Sequence, residues 1–245
     1  MPTFPLYCGE HHEAHDMMLD AAEIEALLLS LRISAVAVLF ALPLAIAAAA
    51  LLANRRFPGK SIVDGLLHLP QILPPVVVGY LLLVALGTRA PLGAWLLHNL
   101  GIRFAFSWTG AALAAGIITF PFQLRAIRLS IEAIDGGLGQ AAETLGAGRF
   151  DRFLNLTLPL ALPGIIAGAI TAFAACLGEF GAIITFVSNI PGETRTLPLA
   201  IYSALQSPGG EAEAAKLSAL SIVLALIGVT LAEFADRRVR VFAGR

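Results

Sequence analysis

Few residues in this 245-residue chain could do chemistry, and they fall in three places. The first is the amino-terminal stretch MPTFPLYCGEHHEAHDMMLD, which gathers Cys8, His11, His12 and His15. On a helix His11 and His15 would share a face, a spacing that suits a soft metal. The zinc signature HExxH fails, because Ala14 alone separates Glu13 from His15. A polar tail without metal is therefore expected over 1–20. The second place is Gly59-Lys60-Ser61, which reads like the end of a phosphate-binding loop. That loop needs a glycine five residues earlier, where Asn54 stands, so no nucleotide site is expected. The third is Glu179 in CLGEFGA, an acid within an apolar run. A charge at the centre of a membrane helix costs roughly 2.5–3.5 kcal/mol on insertion scales, so it should face a bundle interior or a water-filled path. Two readings stay open: a gate or pathway element, or a hydrogen-bonded structural glutamate beside Gly178 and Gly181. No Ser/His/Asp or Cys/His set stands out, and His68 beside Pro70 reads as a helix-end histidine. No catalytic residue is expected.

What remains is a polar block, Gln140 to Pro159 (QAAETLGAGRFDRFLNLTLP), set between two long apolar runs. Gly146 and Gly148 predict a helix, a turn and a short second helix closing on Leu158-Pro159. A membrane protein has little reason to carry such a block unless another protein grips it.

The membrane follows from composition. Apolar residues make up 58% of the chain, charged residues 13%, and the mean hydropathy is +0.82. Soluble domains carry about 25% charged residues. Five apolar runs, near 27–53, 62–87, 105–127, 161–187 and 214–235, each exceed the roughly 20 residues that cross hydrocarbon as a helix. The first is too long for a cleavable signal and reads as an anchor. PLGAWLLHNLGIRF is too short to span, and Trp95 and Trp108 suit an interface. Thr194 to Gln206 reads as an amphipathic segment on the surface. Gly164 and Gly168 form a GxxxG pair, read as packing within one bundle rather than as a dimer seam. Pro70, Pro74 and Pro75 interrupt the second run, a feature tolerated where neighbours or water satisfy the freed carbonyls.

Of the 16 Lys and Arg residues, 11 fall on the side of the Gln140–Pro159 loop and 5 on the other. The positive-inside rule then makes the loop and the basic carboxyl end (237–245) cytoplasmic and the amino terminus external. The net charge of -1 says nothing about a polyanionic partner, but no basic-aromatic stripe is visible and no nucleic-acid partner is expected. Cys8 and Cys176 lie too far apart in character for a redox pair.

The polar block resembles the coupling loop of ABC-importer permeases: Glu-Ala-Ala, three residues, Gly, nine residues, Ile, one residue, Leu-Pro. Ala141, Ala142, Gly146, Leu158 and Pro159 match that pattern, while Gln140 replaces Glu and Leu156 replaces Ile. From Met18 onward the resemblance continues. FPGK (57–60), LHLPQILPPVVVGYLLL (67–83), RAIRLSIEAID (125–135), LPLALPGIIAG (158–168) and GEFGAIITFVSNIPGETRTLP (178–198) are similar to permeases of molybdate importers, with sulfate permeases as near relatives. The resemblance implies an all-α integral membrane fold, a type I ABC-importer (MetI-like) bundle of about five transmembrane helices over 21–236, with a cytoplasmic loop at 128–160. It implies a homodimer of permeases in the bacterial inner membrane. Two cytoplasmic ATPases that bind ATP and Mg would dock on the loops, and a periplasmic molybdate-binding protein would deliver the oxyanion. The chain itself would carry no cofactor. With no Lys or Arg placed at mid-membrane, cargo contacts would be weak and polar, from Thr119, Gln123, Thr171, Ser188 or Asn189. The alternatives are a sulfate or thiosulfate permease, or an ion-coupled secondary transporter. The latter would show charged groups at the midplane and repeated halves; one glutamate, Glu179, and no visible repeat give it weak support.

Overall fold

In the computed structural model, residues 20–54 and 57–242 are described. Cys8, His11, His12 and His15 lie outside them, as do Arg55, Arg56 and Arg245, and the side chains of Arg237, Arg238 and Arg240 are likewise outside the description. Helix α5 (Trp108–Glu132) is the element on which the others close. Ser107 caps it, its hydroxyl accepting a hydrogen bond from Gly110 N at 3.3 Å. Its first half is built of Gly110, Ala111, Ala112, Ala114, Ala115 and Gly116, all buried. Small residues let backbones approach, which is the main source of helix attraction where lipid is as apolar as leucine. Helix α1 (Ala21–Asn54) runs along one side of α5, so close at Gly116 that an added Cβ would lie 3.4 Å from Ala37 O. Helix α8 (Leu158–Leu177) runs along another side. There a Cβ on Gly164 would meet Ala126 O at 2.6 Å, and one on Gly168 would meet Gln123 Cα at 3.1 Å. The GxxxG pair thus packs inside the bundle.

The outer elements follow. Helix α11 (Glu211–Phe242) lies against α8, and α10 (Leu197–Leu205) fits between α11 and α1. The expectation of a surface segment over Thr194–Gln206 is corrected here. Leu197, Leu199, Ala200 and Ala204 are buried, and Leu197 N donates to the Ser30 hydroxyl of α1 at 2.7 Å. Alternating small and large apolar residues on α10 fill the gap between two spans, a use that amphipathic spacing alone does not reveal.

Four helical segments are long and apolar enough to cross a membrane: Ala21–Ala53, Trp108–Glu132, Arg149–Leu177 and Glu211–Leu231. The run at 62–87 is two helices instead, α2 (Lys60–Ile72) and α3 (Pro75–Leu86), bent by 108°. Leu73 adopts ψ 145, the extended conformation forced on a residue before proline, and Pro75 then opens α3 where no N–H is needed. The run at 161–187 also breaks. Helix α8 stops at Leu177, and a short helix α9 (Gly181–Val187) starts after Gly178-Glu179-Phe180. The two broken segments pack on each other. A Cβ on Gly79 of α3 would lie 2.6 Å from Ala182 O, and one on Gly181 of α9 would lie 2.9 Å from Pro75 Cβ. Helix α4 (Pro91–Leu100) packs beside α3 and is too short to span.

Charges gather at the two ends of the bundle. At one end Arg128 of α5 holds Asp64 of α2 at 2.9 Å and Glu132 at 2.8 Å, while His68 Nδ1 lies 2.8 Å from Asp64 O. At the other, buried Glu23 of α1 pairs with Lys216 of α11 at 2.8 Å, and the Arg32 guanidinium stacks over Trp108 at 3.8 Å. Between the ends large apolar side chains such as Phe40, Leu44, Ile222 and Leu226 stand exposed, as hydrocarbon requires.

The Gly79 contact yields a test. Gly79→Val should lower the thermal midpoint of the detergent-solubilised protein, at a cost of about 1–3 kcal/mol for overpacking. Gly65→Val, where a side chain meets open space, should shift it far less. Equal shifts would mean that the α3–α9 contact is not tight.

Candidate functional site

The Gln140–Pro159 block is assembled from short-range rules. Asp135 opens helix α6 (Gly136–Thr144), its carboxylate accepting from Gly137 N at 2.8 Å. The helix ends in a Schellman turn: Ala147 N donates to Ala142 O and Gly146 N to Glu143 O, both at 3.0 Å. That turn needs a residue at positive φ, and Gly146 supplies it at +86°. The chain then re-enters a helix at α7 (Arg149–Arg152). Arg152 straps the two pieces together, donating to Gly139 O at 3.1 Å and to Glu143 Oε2 at 2.8 Å. In the sequence Arg152 is one of the 11 basic residues on the loop side. Its spacing from Glu143, across a glycine turn, was the available signal for the strap.

The second helix does not close at Leu158-Pro159 as expected. It continues through a π-helical turn, Phe153–Thr157, straight into α8, so that Arg149–Leu177 is one helical rod. In that turn Leu158 N donates to Phe153 O, five residues back. The cause is Pro159, which has no N–H and whose ring would press on the Asn155 carbonyl in ordinary α geometry. A wider turn relieves the clash without ending the helix.

Gln140, Ala141, Gly146 and Pro159 are exposed, and Ala142 and Leu158 are half-buried. Around them Leu145 (88% exposed), Phe150 (74%) and Leu138 stand free of any core, on a segment carrying Glu143, Arg149, Asp151 and Arg152. Exposed large apolar groups rimmed by charge mark an interaction surface.

The remaining expected residues fall into separate groups. Thr119 and Gln123 are fully buried on the α5 face that meets α8. The Thr119 hydroxyl lies 3.2 Å from Cys176 Sγ and donates to Ala115 O at 2.8 Å. Gln123 has no hydrogen-bond partner for either amide atom within the described residues. Thr171, one helix over on α8, is exposed, its hydroxyl donating to Ala167 O. Ser188 and Asn189 belong to a loop beyond α9. Ser188 sits at φ 65 there, uncommon for a residue with a side chain, and Thr194 pins it by donating to its carbonyl at 2.9 Å. Asn189 accepts from Arg195 Nε at 3.1 Å and donates to the Ser203 hydroxyl at 2.6 Å. Glu179 lies in the break between α8 and α9, not at the centre of a continuous helix. It is buried, and its Oε1 accepts from Ala182 N at 2.9 Å, which caps α9.

No cluster of His, Cys, Asp or Glu that could hold a metal occurs among the described residues. The arrangement is mechanical: a grip surface on a strapped turn, joined without interruption to a span. A helical bundle crossing the membrane several times with such a loop is the build of a transport permease. Residues 41–241 match the family described as "Binding-protein-dependent transport system inner membrane component", and the chain belongs to that family. It is a multi-pass membrane component of a transport system rather than an enzyme. It is 57% identical to the molybdenum transport system permease protein ModB of Escherichia coli (strain K12), over 94% of this chain and 100% of that one. The corresponding protein of Haemophilus influenzae is 52% identical, over 89% and 95%. In fold the chain is similar to the crystal structure of a bacterial alginate ABC transporter in complex with a pentasaccharide-bound periplasmic protein. There the TM-score is 0.71 at 22% identity, covering 91% of this chain and 81% of that one.

The orphaned amide of Gln123 predicts a stability gain on its removal. Gln123→Leu should raise the thermal midpoint of the isolated permease, since each buried unsatisfied polar group costs about 1–3 kcal/mol. A lower midpoint would mean that the amide is satisfied, by water or by a group outside the described residues.

Proposed function

We propose that this chain is the permease subunit of an ATP-driven importer that carries molybdate, or its analogue tungstate, into the cytoplasm. The observation that carries this reading is the 57% identity with a molybdenum permease, spread over 94% of the chain, with the loop intact. Two copies pair around the path, and a binding protein outside the membrane delivers the oxyanion. One ATPase docks on each Gln140–Pro159 loop. The exposed Leu145 and Phe150 supply the apolar grip for that docking, and Gln140 contributes a neutral contact where a glutamate would contribute charge. The loop and the carboxyl end face the cytoplasm and the amino terminus the periplasm, the orientation the 11-to-5 charge count favours.

The mechanism follows from rigidity. An ATPase pair that closes on ATP favours the outward-facing state only through differential contact with the permease. Arg152 makes α6 travel with α7, and the unbroken rod from Arg149 to Leu177 passes that displacement into the bundle. Helix α8 meets α5 closely at Gly164 and Gly168, with Ile165 and Cys176 packed on the same side, so a displacement of the rod is felt at α5. In this reading Thr119, Gln123 and Thr171 become polar contacts for the passing anion as the α5–α8 seam opens. Ser188 and Asn189 serve near its outer end. Glu179, at the joint between α8 and α9, positions the pivot of the gate rather than the cargo, because a carboxylate repels an oxyanion. Weak neutral contacts let the anion leave; selection rests with the binding protein.

The test is molybdate-stimulated ATPase activity and uptake in liposomes holding permease, ATPase and loaded binding protein, comparing wild type with Gly146→Pro. Proline cannot adopt φ +86°, so the Schellman turn is lost while the spans remain. Stimulation should vanish in the inserted variant. Equal stimulation and uptake in both would reduce the loop to a connector. A response to sulfate-loaded but not molybdate-loaded binding protein would place the cargo with sulfate. Uptake driven by an ion gradient without ATPase would overturn the importer reading.

A further inference from the structure

Where the end of α1 passes the loop there is an open cavity of about 680 Å³. Ala50 and Leu51 of α1 form one wall, and Arg149, Arg152, Phe153 and Leu156 of the rod form the other. Its two halves differ in chemistry. The α1 wall is the last turn of a span that ends at Ala53, so it lies where hydrocarbon gives way to headgroups. Leu51 is 45% exposed there. Opposite stand two guanidinium groups. Arg152 is engaged by Glu143 and Gly139, whereas Arg149 is exposed and has no ion pair among the described residues. A soluble anion would satisfy Arg149 and leave the apolar wall in water. An acidic side chain of a docked protein would do the same unless an apolar neighbour entered with it. A molecule with a phosphate at one end and an acyl chain at the other covers both halves.

We propose that this cavity seats an anionic phospholipid, its phosphate on Arg149 and the first carbons of its acyl chain against Leu51 and Leu156. The lipid then ties α1 to the loop, joining two elements that the chain itself connects only through the bundle. This inference needs only the membrane placement of the chain; it does not depend on molybdate, on coupling or on which side the loop faces.

The experiment uses the permease–ATPase complex in phosphatidylcholine nanodiscs doped with phosphatidylglycerol. Native mass spectrometry after mild detergent release counts the phosphatidylglycerol retained per permease as its fraction is varied. Arg149→Gln should weaken retention about fivefold, the effect of one interfacial cation on an anionic headgroup. Arg125→Gln, an exposed arginine of α5 outside the cavity, should leave it unchanged, and phosphatidylcholine retention should not respond to either variant. Equal phosphatidylglycerol retention by wild type and Arg149→Gln overturns the proposal. So does displacement of the lipid by inorganic phosphate at matching concentration, which would make this a soluble-anion site. Retention by the free permease that is lost once the ATPase is bound would overturn it as well, since a protein partner would then own the cavity.

Discussion

Every interruption of a helix in lipid frees backbone groups that hydrocarbon cannot satisfy, and the bundle depends on how its two interruptions are covered. The breaks at Leu73–Pro74 and at Gly178–Phe180 adjoin α3 and α9, and these two short helices lie against each other through Gly79 and Gly181. Glu179 closes one loose end by accepting from Ala182 N, and Pro75 removes a donor at the other. Each break is tolerable because the other segment and α5 cover it. The fold is thus less a set of parallel rods than four long helices, α1, α5, α8 and α11, with a cross-braced pair of half-helices beside them.

Polar groups are placed by the same economy. The ion pairs Asp64–Arg128 and Glu23–Lys216 sit at opposite ends, where water lowers the desolvation cost of charge. Between them the bundle holds hydroxyls that return to their own helix carbonyls, as Thr119 does to Ala115 and Ser30 to Ala26. Gln123, like the Ser34 and Thr196 hydroxyls, is buried with its polar atoms unmet among the described residues, and it lies against Gly168 of α8.

Much of this was legible in the sequence. Length and apolarity located the spans, because insertion in lipid is a composition effect. Gly146 announced the turn, because a Schellman motif needs a residue at positive φ. Prolines 70, 74 and 75 announced a disruption, although not its 108° angle, which tertiary packing sets. Apolarity concealed the break at Gly178–Phe180: a helix and a capped half-helix of equal hydrophobicity look alike when only residue type is read. The burial of α10 was hidden for a related reason, since a short amphipathic segment can lie on lipid or fill a groove with the same residues. The expected path residues could be named by polarity alone, but whether Thr119 faces a channel or Cys176 is a matter of helix phase, which no motif fixes.

Phase also matters in the π turn at Phe153–Thr157. Such a turn is an α-helix carrying one surplus residue. One residue of helix is worth about 100° of rotation and 1.5 Å of rise. The direction in which Phe150 and Arg149 point, relative to the face that α8 buries against α5, is therefore fixed by a single extra position in the chain. Winding the same residues as plain α-helix would keep the rod continuous and every span in place, yet would turn the gripping surface roughly a quarter of a turn away from where a partner expects it. Loop and span are geared to each other, and Pro159 holds the gear in mesh.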